Sequence, residues 1–199
     1  MKRVVADPPF VKKMFSETGA WSWVWAAVRL YVGYAWLTAG WHKVTNPAWT
    51  TTGEALKGYW EKAVSIPAAP AKAAITYDWY RSFLQSLLDI DAHAWFAPLI
   101  AYGELLVGIG LILGAFVGVA AFFGAFMNFN FMFAGSASTN PVLFLGAILL
   151  MLAWKNAGHW GADRWLLPWI GTPWGRHADS GTDQPGRIVR VQACTGRKA

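Results

Sequence analysis

Two ionisable residues, Arg29 and Glu104, stand inside stretches of sequence that are otherwise apolar. A charge at the centre of a lipid-embedded helix costs about 2.5–3.5 kcal/mol on insertion scales, so each marks a function or a compensating partner. Arg29 lies eight residues into an apolar run over 21–41, and Glu104 about ten residues from either end of a run over 94–114. At ~1.5 Å per residue both fall roughly 12–15 Å from the same membrane boundary. The sequence therefore predicts an Arg29–Glu104 pair. Such a pair has two readings: a register lock between helices, or direct handling of protons or substrate.

The next polar residues lie in a third apolar run, 115–135. Asn128 and Asn130 are two apart, so on a helix they point about 200° away from each other. Asn128 shares its face with Ala121, Gly124, Ala125 and Gly135, where an interhelical hydrogen bond of about 0.5–2 kcal/mol is the ordinary expectation. Asn130 lies instead among Phe122, Phe126 and Phe133. That setting suits a flat ring whose carbonyl needs a donor, as in a quinone headgroup. It equally suits a phenylalanine face turned to lipid, with the amide bonded to its own backbone or to a neighbour. The run closes in "GSASTNP", where Asn140 is placed to cap the next helix and Pro141 to occupy its first position. His42, Lys43, His93 and Arg81 fall at the same end and could receive an anion. Two histidines at unknown separation are a weak signal for ligation, and no metal site is expected.

Helices must place these groups, and composition says which kind. The chain of 199 residues is 55% hydrophobic and only 14% charged, too apolar for a soluble domain of this length. Its 14 tryptophans gather at the ends of apolar runs, where an indole ring sits well at headgroup level. The net charge of +6 does not point to nucleic acid, because the basic residues lie in short flanks beside apolar runs and outside any recognisable binding module. A single cysteine, Cys194, excludes an intrachain disulfide framework, cysteine-held clusters and CxxC chemistry.

Four runs approach the roughly 20 residues that a helix needs to cross a bilayer. They are 21–41, 94–114, 115–135 and 141–155, with a tight turn around Gly114. The fold class read from them is an all-α integral membrane protein, a four-transmembrane-helix bundle over residues 1–175. Residues 176–199 read as a polar, disordered cytoplasmic tail. The first run is too long for a signal-peptide core and is read as retained. Basic residues crowd the N-terminal flank (Lys2, Arg3, Lys12, Lys13) and the C-terminal part, whereas those in the loop 42–93 are matched by acids. Both termini are therefore expected in the cytoplasm and the long loop outside. Within that loop Tyr80, Phe83, Leu84, Leu87 and Leu88 recur at i, i+3, i+4, i+7 and i+8, the pattern of an amphipathic helix, and a weaker helix is expected at 54–64.

Three blocks, "RLYVGYAWLTAGWHKV", "GELLVGIGLILG" and "GAFMNFNFMFAGSASTNPVLFLGAILLMLAWKNAG", together with "GADRWLLPW", resemble the DoxX/DoxD membrane family over most of residues 25–169. The long outer loop is more similar to the DoxD type, the membrane subunit of thiosulfate:quinone oxidoreductase. The resemblance implies a multi-pass protein of the bacterial plasma membrane that oxidises thiosulfate or a related sulfur anion and passes electrons to membrane quinone. Quinone would be a co-substrate, and no tightly bound cofactor is signalled by any motif. The resemblance transfers no residue roles. The sequence reading itself nominates Arg29 and Glu104 as catalytic, with Asn130, Asn128, His42, Lys43, His93 and Arg81 for substrate or quinone. The competing reading is a non-catalytic membrane anchor or scaffold of a redox or stress-response complex. Expected partners are the lipid bilayer, quinone, and a small second subunit, other redox proteins or further copies of the chain.

Overall fold

The computed structural model describes residues 8–170, and among them every regular element is helical. The expected tail, 176–199, lies outside the described residues. After a short helix α1 (Pro9–Phe15), the chain enters α2 (Ala20–Val44), 25 residues without a proline. The Ser22 hydroxyl accepts from the Gly19 amide at 3.1 Å, which closes the first turn. The helix stops just before Asn46-Pro47, which open the single turn α3 (Pro47–Thr50). α2 therefore runs three residues beyond the expected outer limit, and this brings His42 and Lys43 onto the helix.

The loop 42–93 marks the end of the bundle expected to face outward (the outer end, with the α6–α7 turn at the opposite, inner end), and it folds into two helices, α4 (Glu54–Val64) and α5 (Asp78–Asp89), separated by the segment that carries Pro67 and Pro70. The apolar stripe read from the sequence meets the protein: Tyr80 and Leu84 are buried, Leu87 and Leu88 half-buried. The long helices α6 (His93–Leu113) and α7 (Val117–Phe133) form the expected hairpin. Gly114 turns it with φ of +66°, a conformation open to glycine without strain. The fourth run divides into α8 (Asn140–Leu152) and a single turn α9 (Trp154–Ala157), followed by α10 (Asp163–Trp169). Thr139, not Asn140, takes the capping position of α8, and the Asn140 side chain instead donates back to the Ser136 carbonyl at 2.9 Å.

α2 packs along α6, α6 against α7, α7 against α8, and α8 back against α2, which closes a four-helix bundle. One core cluster lies inside the bundle around Val32, Trp36, Leu111 and Leu150. A second lies under the outer loop around Leu56, Trp60, Ile75 and Leu84. Outward-facing residues such as Leu30, Leu99, Leu106, Phe123 and Leu145 are exposed. A belt of that extent on a water-soluble monomer would be unusual. By length and composition α6 is the one described helix that is long and apolar enough to cross a membrane, while α7 and α8 are apolar but shorter.

The α2–α6 contact is set by glycine. A Cβ on Gly108 would fall 2.5 Å from the Leu37 Cα, and one on Gly40 would fall 2.7 Å from the Leu105 Cα. Both obstacles are backbone, which cannot rotate away as a side chain can. We predict that Gly108→Val destabilises the folded protein by about 1–3 kcal/mol through overpacking. In Gly58→Ala, by contrast, the added methyl meets open space on a solvent-facing turn of α4. That change should stabilise by about 0.5–1 kcal/mol. Thermal unfolding in detergent checks both signs.

Candidate functional site

The glycine contacts fix the helix register. Residue 40 lies beside 105, 37 beside 108, and 33 beside 111 and 112. Arg29 consequently falls at the α6–α7 turn and Glu104 beside the outer end of α2. The two are separated in height by about a dozen residues, roughly 18 Å at 1.5 Å per residue. The expected Arg29–Glu104 pair is not formed. Equal depths followed from assuming that the runs 21–41 and 94–114 lie end to end, whereas backbone contact at the glycines slides α2 along α6 toward the Gly114 end.

Each charge has a different partner. The Arg29 Nη1 donates to the carbonyls of Leu111 and of Ile112, and Nη2 donates to that of Trp160 at 3.2 Å. These α6 carbonyls lie in its last turn, where the Gly114 amide reaches the Leu111 carbonyl at 3.2 Å and a cation is favoured. Asp163 serves the other side of the same turn, its carboxylate accepting from the amides of Phe116 at 2.6 Å and Val117 at 2.9 Å. Phe116 has a φ of +50°, so this strained turn is held by a side chain more than forty residues away. Buried Asn156 ties down the N-terminal segment: it accepts from Ser22 at 2.5 Å and donates to the carbonyls of Met14 and Glu17. At the inner end the buried side chains thus bond mainly to backbone groups, although the Arg29 Nε has no hydrogen-bond partner among the described residues.

The outer end is built differently. Glu104 is buried, and its Oε2 lies 2.5 Å from the Lys43 Nζ. The ammonium also faces the rings of Trp49 and Phe131, at 5.1 and 5.8 Å from their centroids. This ion pair borders a cavity of about 450 Å³ between α2, α7 and α8, roofed by Trp49 and by Tyr59 of α4. Asn128 and Trp36 line the same cavity. Asn128 is fully buried, and neither its Oδ1 nor its Nδ2 has a hydrogen-bond partner among the described residues; the Trp36 Nε1 has none either. The interhelical bond expected of Asn128 is therefore not made. Across the cavity from Asn128 stand Ala35 and Ala39 of α2, whose small side chains bring no hydrogen-bonding group to the amide.

Asn130 lies on the opposite face of α7. Its Nδ2 donates to the Phe126 carbonyl at 2.8 Å, and the Tyr80 hydroxyl donates to its backbone carbonyl at 3.0 Å and to its Oδ1 at 3.3 Å. Of the two readings of Asn130, the amide bonded to its own backbone and a neighbour is the one observed. Burial pushes the Tyr80 hydroxyl up to about 12, with Tyr59 adding to the effect, so Tyr80 stays a donor at physiological pH. Burial likewise raises Tyr59, against a hydrogen bond with Ser136 that pulls it down.

The four outer cationic groups do not converge. Arg81 is held by Asp78 at 2.5 Å and by the Ile75 carbonyl at 2.6 Å. His93 is buried at the start of α6, its Nδ1 3.8 Å from Asp91, and His42 is exposed. Lys43 alone of the four lines the large cavity, and Glu104 balances its charge. Among the described residues no cluster of three or more His, Cys, Asp or Glu is arranged to hold a metal. Sequence reasoning did not single out Trp36, Tyr59, Asp163 or Asn156. An indole on the Arg29 face was the only visible signal for the first. The others depend on contacts between distant segments.

The family model for DoxX matches residues 24–137, which take in α2 to the turn before α8 and hence most of this cavity. The chain belongs to the DoxX family. It is accordingly a membrane protein, and α6 supplies one clear spanning helix. No curated protein and no solved structure matches the chain. Within this DoxX protein, the inner charges serve the turn and the outer ones the cavity.

Two double-substitution cycles separate the observed pairing from the expected one. Removing one member of a buried ion pair typically costs about 3–5 kcal/mol because the other is left uncompensated. Lys43→Met and Glu104→Gln should therefore be strongly non-additive, with a coupling of about 1 kcal/mol or more, whereas Arg29→Met and Glu104→Gln should add within about 0.5 kcal/mol. Unfolding free energies of the single and double variants read both couplings.

Proposed function

We propose that the protein is the membrane subunit of a quinone-linked oxidoreductase, that α2, α6, α7 and α8 all cross the bilayer, and that the large outer cavity takes the quinone headgroup. The observation that carries this reading is the buried, unpartnered Asn128 amide beside the Trp36 indole N–H, facing the Lys43–Glu104 pair across one cavity. Quinone carbonyl oxygens accept hydrogen bonds and cannot donate them. Asn128 Nδ2, Trp36 Nε1 and Lys43 Nζ are the donors available to them. The size suits such a ligand, since small-molecule pockets run to about 300–1,000 Å³.

Reduction of a quinone to the quinol takes two electrons and two protons. The Lys43–Glu104 pair is the protein's means of delivering protons at that point: the ammonium gives one up to the reduced ring, the pair regains it from the outer surface, to which Lys43 is partly exposed, and the reprotonated ammonium then delivers the second. Asn128 and Trp36 orient the ring and hold its oxygens, and the surrounding apolar side chains limit water. The electrons are proposed to come from thiosulfate or a related sulfur anion at the outer face, two thiosulfates giving tetrathionate and two electrons. That donor rests on the resemblance of the long outer loop to the DoxD type. Lys43, His42, His93 and Arg81 do not supply a joint anion site, so the sulfur anion must meet another surface or a second subunit. Asn130, nominated by the sequence for the quinone along with Asn128, is a wall residue of a neighbouring cavity.

Asn128→Leu tests the assignment with two readouts of opposite sign. Replacing an unpartnered buried amide by an apolar side chain of similar size should raise folded stability by about 1–3 kcal/mol. The same change should weaken decyl-ubiquinone binding, followed by quenching of tryptophan fluorescence, by about tenfold or more. Glu104→Gln should keep binding and lose most quinone reduction with a sulfur-anion donor. Equal affinity of the wild type and Asn128→Leu for the quinone would remove the headgroup site from this cavity.

A further inference from the structure

A second cavity, of about 280 Å³, lies beside the first, under the roof that α4 and α5 make over α6 and α7. Tyr59 and Phe131 line both cavities, and the Tyr59 hydroxyl donates to the Phe131 carbonyl at 3.3 Å. The pair is a shared wall two side chains wide. In chemistry the cavities are opposites. The first holds an ion pair and unpartnered donors. The second is lined by groups such as Leu56, Leu84, Leu87, Phe96 and Ile100. Its polar members Tyr80 and Asn130 are bonded to each other, and Asn130 also to Phe126. With these polar groups paired, a polar ligand would gain little here, whereas a hydrocarbon chain would bury apolar surface.

We infer that the second cavity binds the apolar tail of the quinone whose headgroup the first cavity takes, with the chain passing between them at Tyr59 and Phe131. The inference rests on the headgroup reading and adds a length requirement to it. An amphiphile with one hydrogen-bonding end and one hydrocarbon end matches adjoining compartments of those two characters. Tyr59 and Phe131 stand where such a molecule changes character, and an aromatic wall accommodates both a ring edge and a chain. The outer loop thereby gains a role in selecting the ligand, since α4 and α5 supply one whole side of the tail compartment.

The test compares ubiquinone-0, which has no tail, with decyl-ubiquinone on the full chain in detergent, using tryptophan quenching. Two variants fill the second cavity from different sides: Leu84→Phe on α5 and Ala134→Leu at the end of α7. Comparing one ligand across variants cancels its partition into the micelle. The filled variants should lose about tenfold or more in affinity for decyl-ubiquinone. They should bind ubiquinone-0 as the wild type does, which also shows that the fold is intact. If both folded variants bind decyl-ubiquinone as the wild type does, or lose the two ligands equally, the tail assignment is wrong while the headgroup site stands. If neither ligand binds the wild type, the headgroup site and the tail assignment fall together. Phospholipid that co-purifies with the wild type and is lost on filling, without selective loss of decyl-ubiquinone, would assign the cavity to a lipid acyl chain and overturn the inference.

Discussion

Everything distinctive about this bundle follows from the close approach of α2 and α6 at Gly40 and Gly108. At these points the backbones lie too near for a Cβ on either glycine, so the two helices have one register in which they can meet. Between apolar helices in lipid there is little hydrophobic driving force, and tight van der Waals packing of small residues takes its place. The register then assigns the charges. It carries Arg29 to the carbonyl end of α6, and it carries Lys43, near the last turn of α2, down to Glu104. Sliding one helix by a single turn would leave both charges without their partners.

The two ends of the bundle handle buried polarity in opposite ways. At the inner end Arg29, Asp163 and Asn156 bond mainly to backbone groups of the α6–α7 turn and the N-terminal segment, with the Arg29 Nε alone of their polar nitrogens lacking a partner among the described residues. This is the behaviour expected where polarity serves folding. At the outer end Asn128 and Trp36 keep buried polar atoms without protein partners, beside an ion pair that faces a cavity. An unsatisfied buried polar group costs stability, and such costs concentrate where a protein does something other than hold itself together. The contrast within one small bundle is the physical ground for placing function at the outer end.

α7 divides the two outer cavities. Asn128 faces the polar compartment and Asn130 the apolar one, and the odd-looking pair of asparagines in "FMNFNFMF" comes from a helix with different chemistry on its two sides. The amide among the phenylalanines, the more conspicuous of the two in sequence, proves to be the satisfied one. A local pattern shows which residues share a face, but satisfaction depends on what the neighbouring element presents. Tyr80, fifty residues earlier in the chain, was there to pair with Asn130. Among the described residues nothing pairs with Asn128.

The sequence by itself determined the helical class, the hairpin at Gly114, the two loop helices and the apolar stripe of α5. These follow from periodicity, from glycine and proline, and from side-chain polarity, which act over a few residues. It also singled out Glu104 and Asn128, because a polar group in an apolar run is visible without any partner, and Lys43 as one of four cationic groups at the loop end. Only the tertiary structure decided who pairs with whom. Taking the two runs to lie end to end placed Arg29 and Glu104 at one depth, when the glycine contact sets them about a dozen residues apart, roughly 18 Å. The four outer cations looked like one anion site because sequence gives their level but not their direction. The cavity itself was illegible for the same reason: residues of α2, α4, α6, α7 and α8 line it together, and no single segment contains more than one side of it.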